Sequence, residues 1–407
     1  MMRSSSARPR MHDTIIVGGG PGGLYTSLLL ARAGFDVVVL EEHNTSGEPV
    51  HCTGVLAAEA YDEFDLPREA MLNSLRTVRF YSPSGTPVDY TTPAVEAVVV
   101  DRLLFDRGLY GRARSAGVTI EVGAKVTSVT VNDKDVVVQF GNGRELRARS
   151  CVLACGASYS LQHRLNLGTP AVQLQSAQIE LPASRSGAVE VHLGERVAPK
   201  GFAWIVPVVR EDGMAARVGL MCESNAARFF KLFLSRVSVR WGLNPAAVDG
   251  AGAPRYKLLP LAPIRRTFTD RVLAVGDAAG LVKATTGGGI YYSLVSAAAA
   301  AEVLADALQK DTLQAATLKA YETRWRQRLG AELRAQLALR MLAHRLGDPD
   351  IEALFELART DGVMPLVSRF ARFNNHRDLI VSLFKHPPAR RVLFKQLVAK
   401  SLTLAVR

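Results

Sequence analysis

The sequence predicts an α/β protein in which a Rossmann-type nucleotide-binding domain carries an inserted antiparallel β-sheet domain and a C-terminal helical region. Three observations predict this class. An apolar strand near the N-terminus runs into a glycine-rich turn and a helix, alternating runs between about residues 171 and 220 are typical of a sheet, and the pattern from Gly287 onward is almost wholly helical. The 407 residues suffice for two or three packed domains with a continuous apolar core.

The composition is that of a globular protein, with 48% hydrophobic and 22% charged residues. The most apolar stretch, 287–308, is rich in alanine and interrupted by Ser293, Ser296 and Glu302, which predicts a buried helix rather than a membrane span. The four cysteines are too few and too scattered for a disulfide framework, which favours a reducing cytoplasm. Their spacing supports neither a zinc site nor an iron–sulfur cluster, so we expect no metal.

The glycine-rich turn fits the dinucleotide-binding fingerprint G-x-G-x-x-G. Gly18 permits a tight turn, Gly20 lets a pyrophosphate approach the backbone, and Gly23 lets the helix pack on the strand. The helix N-terminus offers N–H groups and the positive end of its dipole to the phosphates. Glu41 ends the second strand, where its carboxylate can accept ribose hydroxyls and would repel a 2′-phosphate. The ordered set predicts a nucleotide site that disfavours NADP.

A second segment distinguishes FAD from NAD. The predicted strand 272–275 runs into Asp277, whose carboxylate can accept hydrogen bonds from a ribityl chain. Ten residues later, Gly287, Gly288 and Gly289 open a long helix whose N-terminal amides can face the flavin N1 and C2 carbonyl. An N-capped, alanine-rich core helix is the alternative interpretation. The segment therefore favours FAD.

At these residues the sequence resembles the geranylgeranyl reductase family of flavoproteins, within the larger p-hydroxybenzoate-hydroxylase-like FAD fold. The resemblance covers roughly the first 310 residues, and its most specific run is 285–292, Thr-Thr-Gly-Gly-Gly-Ile-Tyr-Tyr. The glycine turn with Glu41, the segment 47–54 and the segment 100–106 carry the rest. The resemblance implies a set of FAD-binding residues. They are Gly22, Glu41, Cys52, Thr53, Gly54, Arg102, Val126, Asp277, Gly289 and Ile290.

The same resemblance implies a substrate-binding element. The run 199–207, Pro-Lys-Gly-Phe-Ala-Trp-Ile-Val-Pro, is similar to the aromatic-x-Trp-x-x-Pro element with which prenyl reductases line their substrate cavity. Phe202 stands where a tyrosine is usual, so a hydroxyl contact is absent. For Trp204, a core aromatic on a β-strand is the alternative. The predicted substrate-binding residues are Phe202, Trp204, Pro207 and Tyr291.

By this resemblance we expect an FAD-dependent oxidoreductase that reduces carbon–carbon double bonds of a polyprenyl lipid or prenylated quinone. An isolated alkene requires hydride from the flavin and a proton on the other carbon, inside a dry cavity. Cys52, which the resemblance places beside the flavin, is the predicted catalytic proton donor. An inert buried cysteine is the alternative, with Tyr291 and His51 as weaker candidates. NAD(P)H or a reduced carrier is the expected electron donor.

Rival functions share parts of this pattern. An FAD-dependent aromatic hydroxylase, a monooxygenase, uses the same fold with oxygen and stays the alternative. A halogenase needs a lysine early in the chain, and no lysine precedes Lys125. A quinone-coupled electron-transfer flavoprotein dehydrogenase needs cluster-binding cysteines, which the sequence lacks. Outside enzymology, a non-catalytic flavin-binding module would bind FAD without cycling it.

The net charge of +12 is concentrated towards the C-terminus, where nine basic residues and one acid, Asp378, follow Asp361. No segment resembles a nucleic-acid-binding module, so we expect a membrane rather than nucleic acid as the anionic partner. The predicted location is cytoplasmic, with peripheral contact at the inner membrane face. A last helix from Pro387 would present an apolar stripe to lipid, or to the body of the protein. The stripe is Leu393, Phe394, Leu397, Val398 and Leu404.

The predicted domains are discontinuous in sequence. The FAD-binding domain would combine 11–70, 96–165 and 266–310, the substrate-binding sheet 71–95 and 166–265, and the C-terminal helical region 311–407.

Overall fold

The computed structural model of the chain describes residues 11–211, 213–244, 253–360 and 362–394. Its strands are β1 (Met11–Val17), β2 (Val37–Leu40), β3 (Val55–Ala57), β4 (Met71–Leu75), β5 (Thr77–Tyr81), β6 (Pro87–Thr91), β7 (Ala97–Val100), β8 (Thr119–Glu121), β9 (Val126–Val131), β10 (Val136–Phe140), β11 (Arg144–Leu153), β12 (Gln173–Pro182), β13 (Val189–His192), β14 (Phe202–Arg210), β15 (Gly213–Cys222), β16 (Arg255–Pro260), β17 (Phe268–Thr269) and β18 (Val272–Ala274). Its helices are α1 (Pro21–Arg32), α2 (Ala60–Glu63), α3 (Arg102–Ser115), α4 (Ser160–Arg164), α5 (Ala226–Trp241), α6 (Ile290–Gln309), α7 (Ala315–Ala343), α8 (Asp348–Arg359), α9 (Met364–Phe370) and α10 (Arg377–Lys385).

The first sheet is the nucleotide-binding core, and its main path is β17-β18-β11-β1-β2-β8. Strands β18, β11, β1, β2 and β8 are parallel, and the β9–β10 hairpin joins β11 in antiparallel pairing. Strand β2 is buried along its whole length, as expected where helices cover both faces of a parallel sheet. The predicted α/β class with its Rossmann-type domain is confirmed.

The second sheet has the strand order β16-β12-β15-β14-β13-β5-β6. Its pairings are antiparallel except β13 with β5, which is parallel, and β5 forms an antiparallel hairpin with β6. The sheet is therefore mixed, not purely antiparallel as predicted. Strand β4, which the predicted boundaries group with this sheet, pairs instead with β7 in a three-stranded sheet, β3-β7-β4. The domain boundaries themselves stay a prediction.

The C-terminal region is helical, and residues 387–394 are helical as well. Helix α6 is long and apolar enough to cross a bilayer, yet 56% of its most apolar window is buried inside the protein. It packs between α1 and α7, so it is a core helix. Helix α7 covers it with Leu318, Tyr321 and Trp325, all buried.

Candidate active site

The glycine turn between β1 and α1 has the geometry that a phosphate site needs. Gly18 has φ +107°, and a Cβ there would collide with the carbonyl oxygen of Ala154. A Cβ on Gly23 would collide with the Gly18 carbonyl oxygen, so this glycine allows the close packing of helix on strand. A Cβ on Gly20 would have no neighbour within 4 Å. The turn is therefore tight at Gly18 and Gly23 and open at Gly20.

Helix α1 begins without a side-chain cap, so its first amides are available to an anion. Gly22 lies in its first turn against Ser293 of α6, where a side chain would not fit. Glu41 leaves the end of β2, and its carboxylate accepts hydrogen bonds from the backbone N–H groups of Gly19 (2.6 Å) and His43 (2.9 Å). The structure thus brings the predicted ribose acceptor to the glycine turn.

The segment 52–54 lies between the second sheet and strand β7, whose Val100 N–H donates to the Gly54 carbonyl at 2.8 Å. The Thr53 hydroxyl donates to Gln178 Oε1 at 2.9 Å, and the Gly54 N–H donates to the half-buried Cys52 Sγ at 3.3 Å. Arg217 of β15, 5% exposed, donates from Nη1 to the Thr53 carbonyl at 2.7 Å. The substrate-side sheet therefore holds the segment that carries Cys52.

Arg102, at the first position of α3, is a buried cation with unused hydrogen-bonding capacity. Its Nη2 donates to both oxygens of Asp106, at 3.0 and 2.9 Å, while its Nε is buried without a partner. Burial works to lower the pKa of Arg102, but Asp106 and then Cys52 outweigh it and raise that pKa above its ordinary value. An orphaned guanidinium N–H beside Cys52 fits a bound cofactor oxygen. Together with the uncapped helix and the space at Gly20, it shows that the residues present fit FAD.

Asp277 contacts the second glycine segment, residues 287–289. The Asp277 carbonyl accepts a hydrogen bond from the Tyr159 hydroxyl at 2.6 Å, and its carboxylate pairs with Lys257 of β16 at 3.2 Å. A Cβ added to Gly289 would lie 2.7 Å from Asp277 Oδ1, which places the start of α6 against this carboxylate. Gly288 and Ile290 flank it in the chain. The predicted flavin residues Asp277 and Gly288–Ile290 are therefore adjacent.

One face of the second sheet turns towards these cofactor residues. Opposite residues in neighbouring strands share a face, and two adjacent rows run from an aromatic side chain on β14 to a cation on β16. The Phe202 and Trp204 ring centroids are 5.7 Å apart, and Trp204 Nε1 is buried without a partner. The rows are Phe202, Met221, Ser176 and Lys257, then Trp204, Gly219, Gln178 and Arg255.

A cavity of about 330 Å³ lies beside Cys52 at the basic end of this face. Arg210 on its wall pairs with Asp101 and Glu180, and Arg217 pairs with Glu180 at 2.7 Å. The cavity wall includes Val50, Cys52, Arg102, Gln178, Arg210, Arg217 and Arg255. Asp101 and Glu180 also line it, so the four arginines leave the wall with a net positive charge, which suits an anionic group.

Two predicted substrate residues lie away from the Phe202–Trp204 face. Strand alternation puts Pro207 on the opposite face, with Ala203 and Ile205. Tyr291 points to α2, where its hydroxyl donates to Glu63 at 2.8 Å. Val126 begins β9, two residues after Ala124, whose N–H donates to the Glu41 carbonyl at 2.7 Å.

The sequence did not single out Arg217, Gln178 or Lys257. Each lies on a strand of the second sheet and reaches Thr53 or Asp277 through a tertiary contact. A local signal existed only for Arg217, an arginine inside the apolar strand 213–222. Such a residue is costly to bury unless it is paired.

Comparison with known proteins follows the same division of the chain. Residues 12–159 match the family described as pyridine nucleotide-disulphide oxidoreductase, and residues 256–377 match the family described as lycopene cyclase protein. The second match runs past residue 310, so the similarity extends into the C-terminal helices.

Curated relatives cover most of the chain. The digeranylgeranylglycerophospholipid reductase of Methanocaldococcus jannaschii is 30% identical over 85% of this chain and 90% of its own length. The digeranylgeranylglycerophospholipid reductase 2 of Methanothermobacter thermautotrophicus is 28% identical over 84% of this chain and 90% of its own. A solved geranylgeranyl bacteriochlorophyll reductase-like protein from Thermoplasma acidophilum shares the fold, with a TM-score of 0.80, 21% identity and coverage of 96% of this chain and 100% of the other. FAD is the cofactor, and the chain belongs to the geranylgeranyl reductase family of FAD-dependent oxidoreductases.

Proposed function

We propose that this chain reduces carbon–carbon double bonds in the polyprenyl chains of a geranylgeranyl-type lipid. One observation carries the proposal: a single face of the second sheet connects the aromatic pair Phe202 and Trp204 to the cofactor residues Thr53 and Asp277. FAD, once reduced, supplies hydride for such a reaction. The chain's own residues bind the lipid, exclude water and provide the proton.

The aromatic end of the face suits a prenyl chain. Phe202 and Trp204 pack around an apolar cluster that includes Leu174, Met221 and Val282. Burial of a long apolar chain contributes about 25 cal/mol per Å² of buried surface. The same packing keeps water from the reacting carbons, which a reduction by hydride requires.

The basic end of the face suits the headgroup of an anionic lipid. Arg217 and Arg255 line the cavity beside Cys52, and Lys257 lies two residues after Arg255 on β16. Arg217 is already bonded to Glu180, Thr53 and Val100, so Arg255 is the guanidinium that would form charge-assisted hydrogen bonds with phosphate oxygens. Relatives that are named for a phospholipid substrate support this choice of headgroup.

Cys52 is the proposed proton donor. Its thiol is half-buried, contacts the Arg102 guanidinium and accepts the Gly54 N–H. The cation stabilises the thiolate that remains after the proton has moved to the substrate carbon. The inert alternative predicts that the thiol can be replaced without loss of activity.

The proposal is tested with the purified FAD-loaded protein, reduced without oxygen and followed by flavin absorbance. A geranylgeranyl phospholipid in detergent should reoxidise the cofactor, while the saturated lipid of the same headgroup should not. If only oxygen together with an aromatic compound restores the oxidised spectrum, the hydroxylase alternative replaces the reductase. The named relatives do not favour that alternative.

We also propose that NAD(P)H or a reduced protein carrier delivers the electrons. Mixing the oxidised protein with each donor in a stopped-flow instrument distinguishes them. The productive donor bleaches the flavin absorbance faster than the steady-state turnover.

Peripheral contact of a cytoplasmic protein with the inner membrane face is a further part of the proposal. Its support is the excess of basic residues after Asp361. Among described residues of the apolar stripe, Leu393 is 5% exposed and the Phe394 ring packs at 5.5 Å on Phe384, so this part packs on the protein. Leu397, Val398 and Leu404 lie outside the described residues.

Sedimentation with vesicles tests the membrane contact. Vesicles rich in phosphatidylglycerol should retain the protein and release it as salt is raised, because the attraction is electrostatic. Equal retention on neutral phosphatidylcholine vesicles would contradict the basic surface as the cause.

A further inference from the structure

A buried lysine joins the second glycine segment to the C-terminal helices. Lys283 lies four residues before Gly287 and is 3% exposed. Its ammonium donates to the Phe373 carbonyl and to Asn374 Oδ1, both at 2.7 Å. The same ammonium lies 4.3 Å from the centroid of the Phe373 ring, within the range of a cation–π interaction.

The next two residues, Ala284 and Thr285, also form hydrogen bonds with the C-terminal region. Ala284 donates its N–H to Gln336 Oε1 at 3.0 Å, and its carbonyl accepts from Arg340 Nε at 2.5 Å. Thr285 Oγ1 and His376 Nδ1 are 2.7 Å apart. Three consecutive residues before the glycines therefore all bond to the C-terminal region.

The partners of Lys283 are themselves fixed. Asn374 Nδ2 donates to Glu59 Oε1 at 2.8 Å, and the Phe373 N–H donates to Glu96 Oε2 at 3.1 Å. The His376 N–H donates to Glu332 Oε2 of α7 at 2.8 Å. The segment 373–376 is thus tied both to the nucleotide-binding part of the chain and to α7.

The backbone of Lys283 reaches the glycines directly. Its carbonyl accepts the Gly287 N–H at 2.9 Å, and its N–H donates to the Gly288 carbonyl at 3.1 Å. A Cβ added to Gly288 would lie 3.7 Å from Lys283 Cδ, so the lysine stem packs against the glycine. A shift of Lys283 would therefore move Gly287 and Gly288 as well.

Burying the charged side chain of Lys283 here costs free energy. Burial lowers the pKa of Lys283 to about 7, against the opposing effect of Glu59 and Glu332. A neutral side chain of similar length would fill the same volume without that cost. The polar contacts of Lys283 therefore call for an explanation beyond packing.

We propose that Lys283 is a positioning residue for FAD: with Asn374 and the Thr285–His376 pair it forms a latch by which the C-terminal region fixes the backbone of Gly287–Gly289. The inference deepens the proposed function and rests on its assignment of the glycine segment to FAD. It does not depend on which lipid is reduced.

The test uses the purified full-length chain and two readouts, the FAD dissociation constant from flavin fluorescence and the midpoint potential of bound FAD. Lys283→Met and Asn374→Leu should each weaken FAD binding about tenfold, the equivalent of one charge-assisted hydrogen bond. The double variant should lose little more than either single variant, because both break one contact. Lys310→Met is the matched control, since the Lys310 side chain is 63% exposed at the end of α6.

The midpoint potential of bound FAD distinguishes a positioning role of Lys283 from a role in stability alone. Below a pH of about 7, where Lys283 is charged, Lys283→Met should shift the midpoint potential to a more negative value, because reduction places negative charge on the flavin. Lys310→Met should leave it unchanged. If Lys283→Met does not fold, Thr285→Val carries the affinity test, because it removes only the contact with His376.

The latch is overturned if Lys283→Met and Asn374→Leu bind FAD as Lys310→Met does, at an unchanged potential. It is also overturned if Gly289→Ala leaves FAD affinity intact, because the glycine segment is then not a cofactor site. If these results come out as expected but no prenyl lipid reoxidises the wild-type protein, the latch stands and the proposed function fails.

Discussion

At the scale of single residues, the site is defined by polar atoms whose partners are not all within the chain. Arg102 Nε and Trp204 Nε1 are buried without hydrogen-bond partners, one in the cofactor region and one on the substrate face. Buried polar atoms are nearly always paired in proteins, and at these two positions the bound cofactor and the proposed lipid would approach them. Cys52 contacts Arg102 and is the residue on which the proposed chemistry depends.

The first residue-scale prediction concerns Cys52→Ser. Turnover of the prenyl lipid should fall on the order of a hundredfold, because a hydroxyl is a much weaker acid than a thiol, while FAD affinity changes little. The measurement is single-turnover reoxidation of the reduced protein. Cys222→Ser is the matched control, since a serine hydroxyl can keep the bond that the buried thiol makes to the Ser224 carbonyl. Equal rates in all three proteins would make Cys52 inert.

A second residue-scale prediction is a pH dependence of stability due to Lys283. In the unfolded chain this lysine keeps its proton up to about 10.5, whereas in the folded chain its pKa is lowered to about 7. Between these values the folded state binds fewer protons, so the contribution of Lys283 to stability rises with pH, by about 1.4 kcal/mol per pH unit. The neighbouring His376 has a pKa lowered to about 4 and stays neutral throughout.

Urea unfolding of wild type and Lys283→Met across this range measures that contribution as a difference between the two proteins. The free energy of unfolding of wild type should increase relative to that of the variant as pH rises. A constant difference would show that the lysine titrates normally in the folded state.

At the scale of elements, the β1–α1 turn uses its glycines for two separate purposes. A side chain at Gly23 meets the Gly18 carbonyl, whereas a side chain at Gly20 meets no protein atom within 4 Å. Gly23 therefore serves folding, and Gly20 leaves room for the cofactor. Both were assigned from the sequence, because strand, turn and helix are contiguous there and each glycine of the motif has a known geometric role.

These two glycines should respond differently to alanine. Gly23→Ala should lower the melting temperature of the apoprotein, since the helix must move away from the strand. Gly20→Ala should melt as wild type does and bind FAD about tenfold or more weakly, because the methyl group occupies the phosphate approach. Gly111→Ala in α3 is the control for an added methyl group, because a Cβ there would also have no neighbour within 4 Å. An FAD affinity of Gly20→Ala equal to that of Gly111→Ala would contradict the assignment.

The direction in which a side chain points was harder to predict than the helix or strand that carries it. Tyr291 follows Ile290 at the start of α6, but successive residues of a helix point about 100° apart, so Tyr291 faces Glu63 and not the substrate face. Pro207 lies on the opposite face from Phe202 and Trp204 for a similar reason, because successive residues of a strand point to opposite faces of the sheet. The sequence motif places such residues in the right element without fixing the face.

At the scale of the whole molecule, the function depends on contacts between parts of the chain that are far apart in sequence. Arg217 joins the second sheet to Thr53 and Val100, and Lys283 joins the glycine segment to Asn374. An arginine inside an apolar strand signals that it needs a partner, but neither it nor a lysine in a loop reveals which distant residue it contacts. The local motifs could be read from the sequence, because their residues are neighbours in the chain.

Arg217→Met should test the junction between the sheets. Removing one partner of a buried, hydrogen-bonded ion pair should lower the free energy of unfolding by about 3 kcal/mol, since Thr53 and Val100 lose their donor. The control on the same sheet is Arg79→Met, which breaks an exposed pair with Asp89 and should cost about 1 kcal/mol or less. Equal losses in urea unfolding would show that Arg217 is not a structural junction.

The mass of a geranylgeranyl phospholipid after one anaerobic turnover with the reduced protein tests the proposed reduction directly. We expect a product heavier by two hydrogens, formed without oxygen and formed on the order of a hundredfold more slowly by Cys52→Ser. An unchanged lipid, with the flavin reoxidised only when oxygen and an aromatic compound are added, would contradict it.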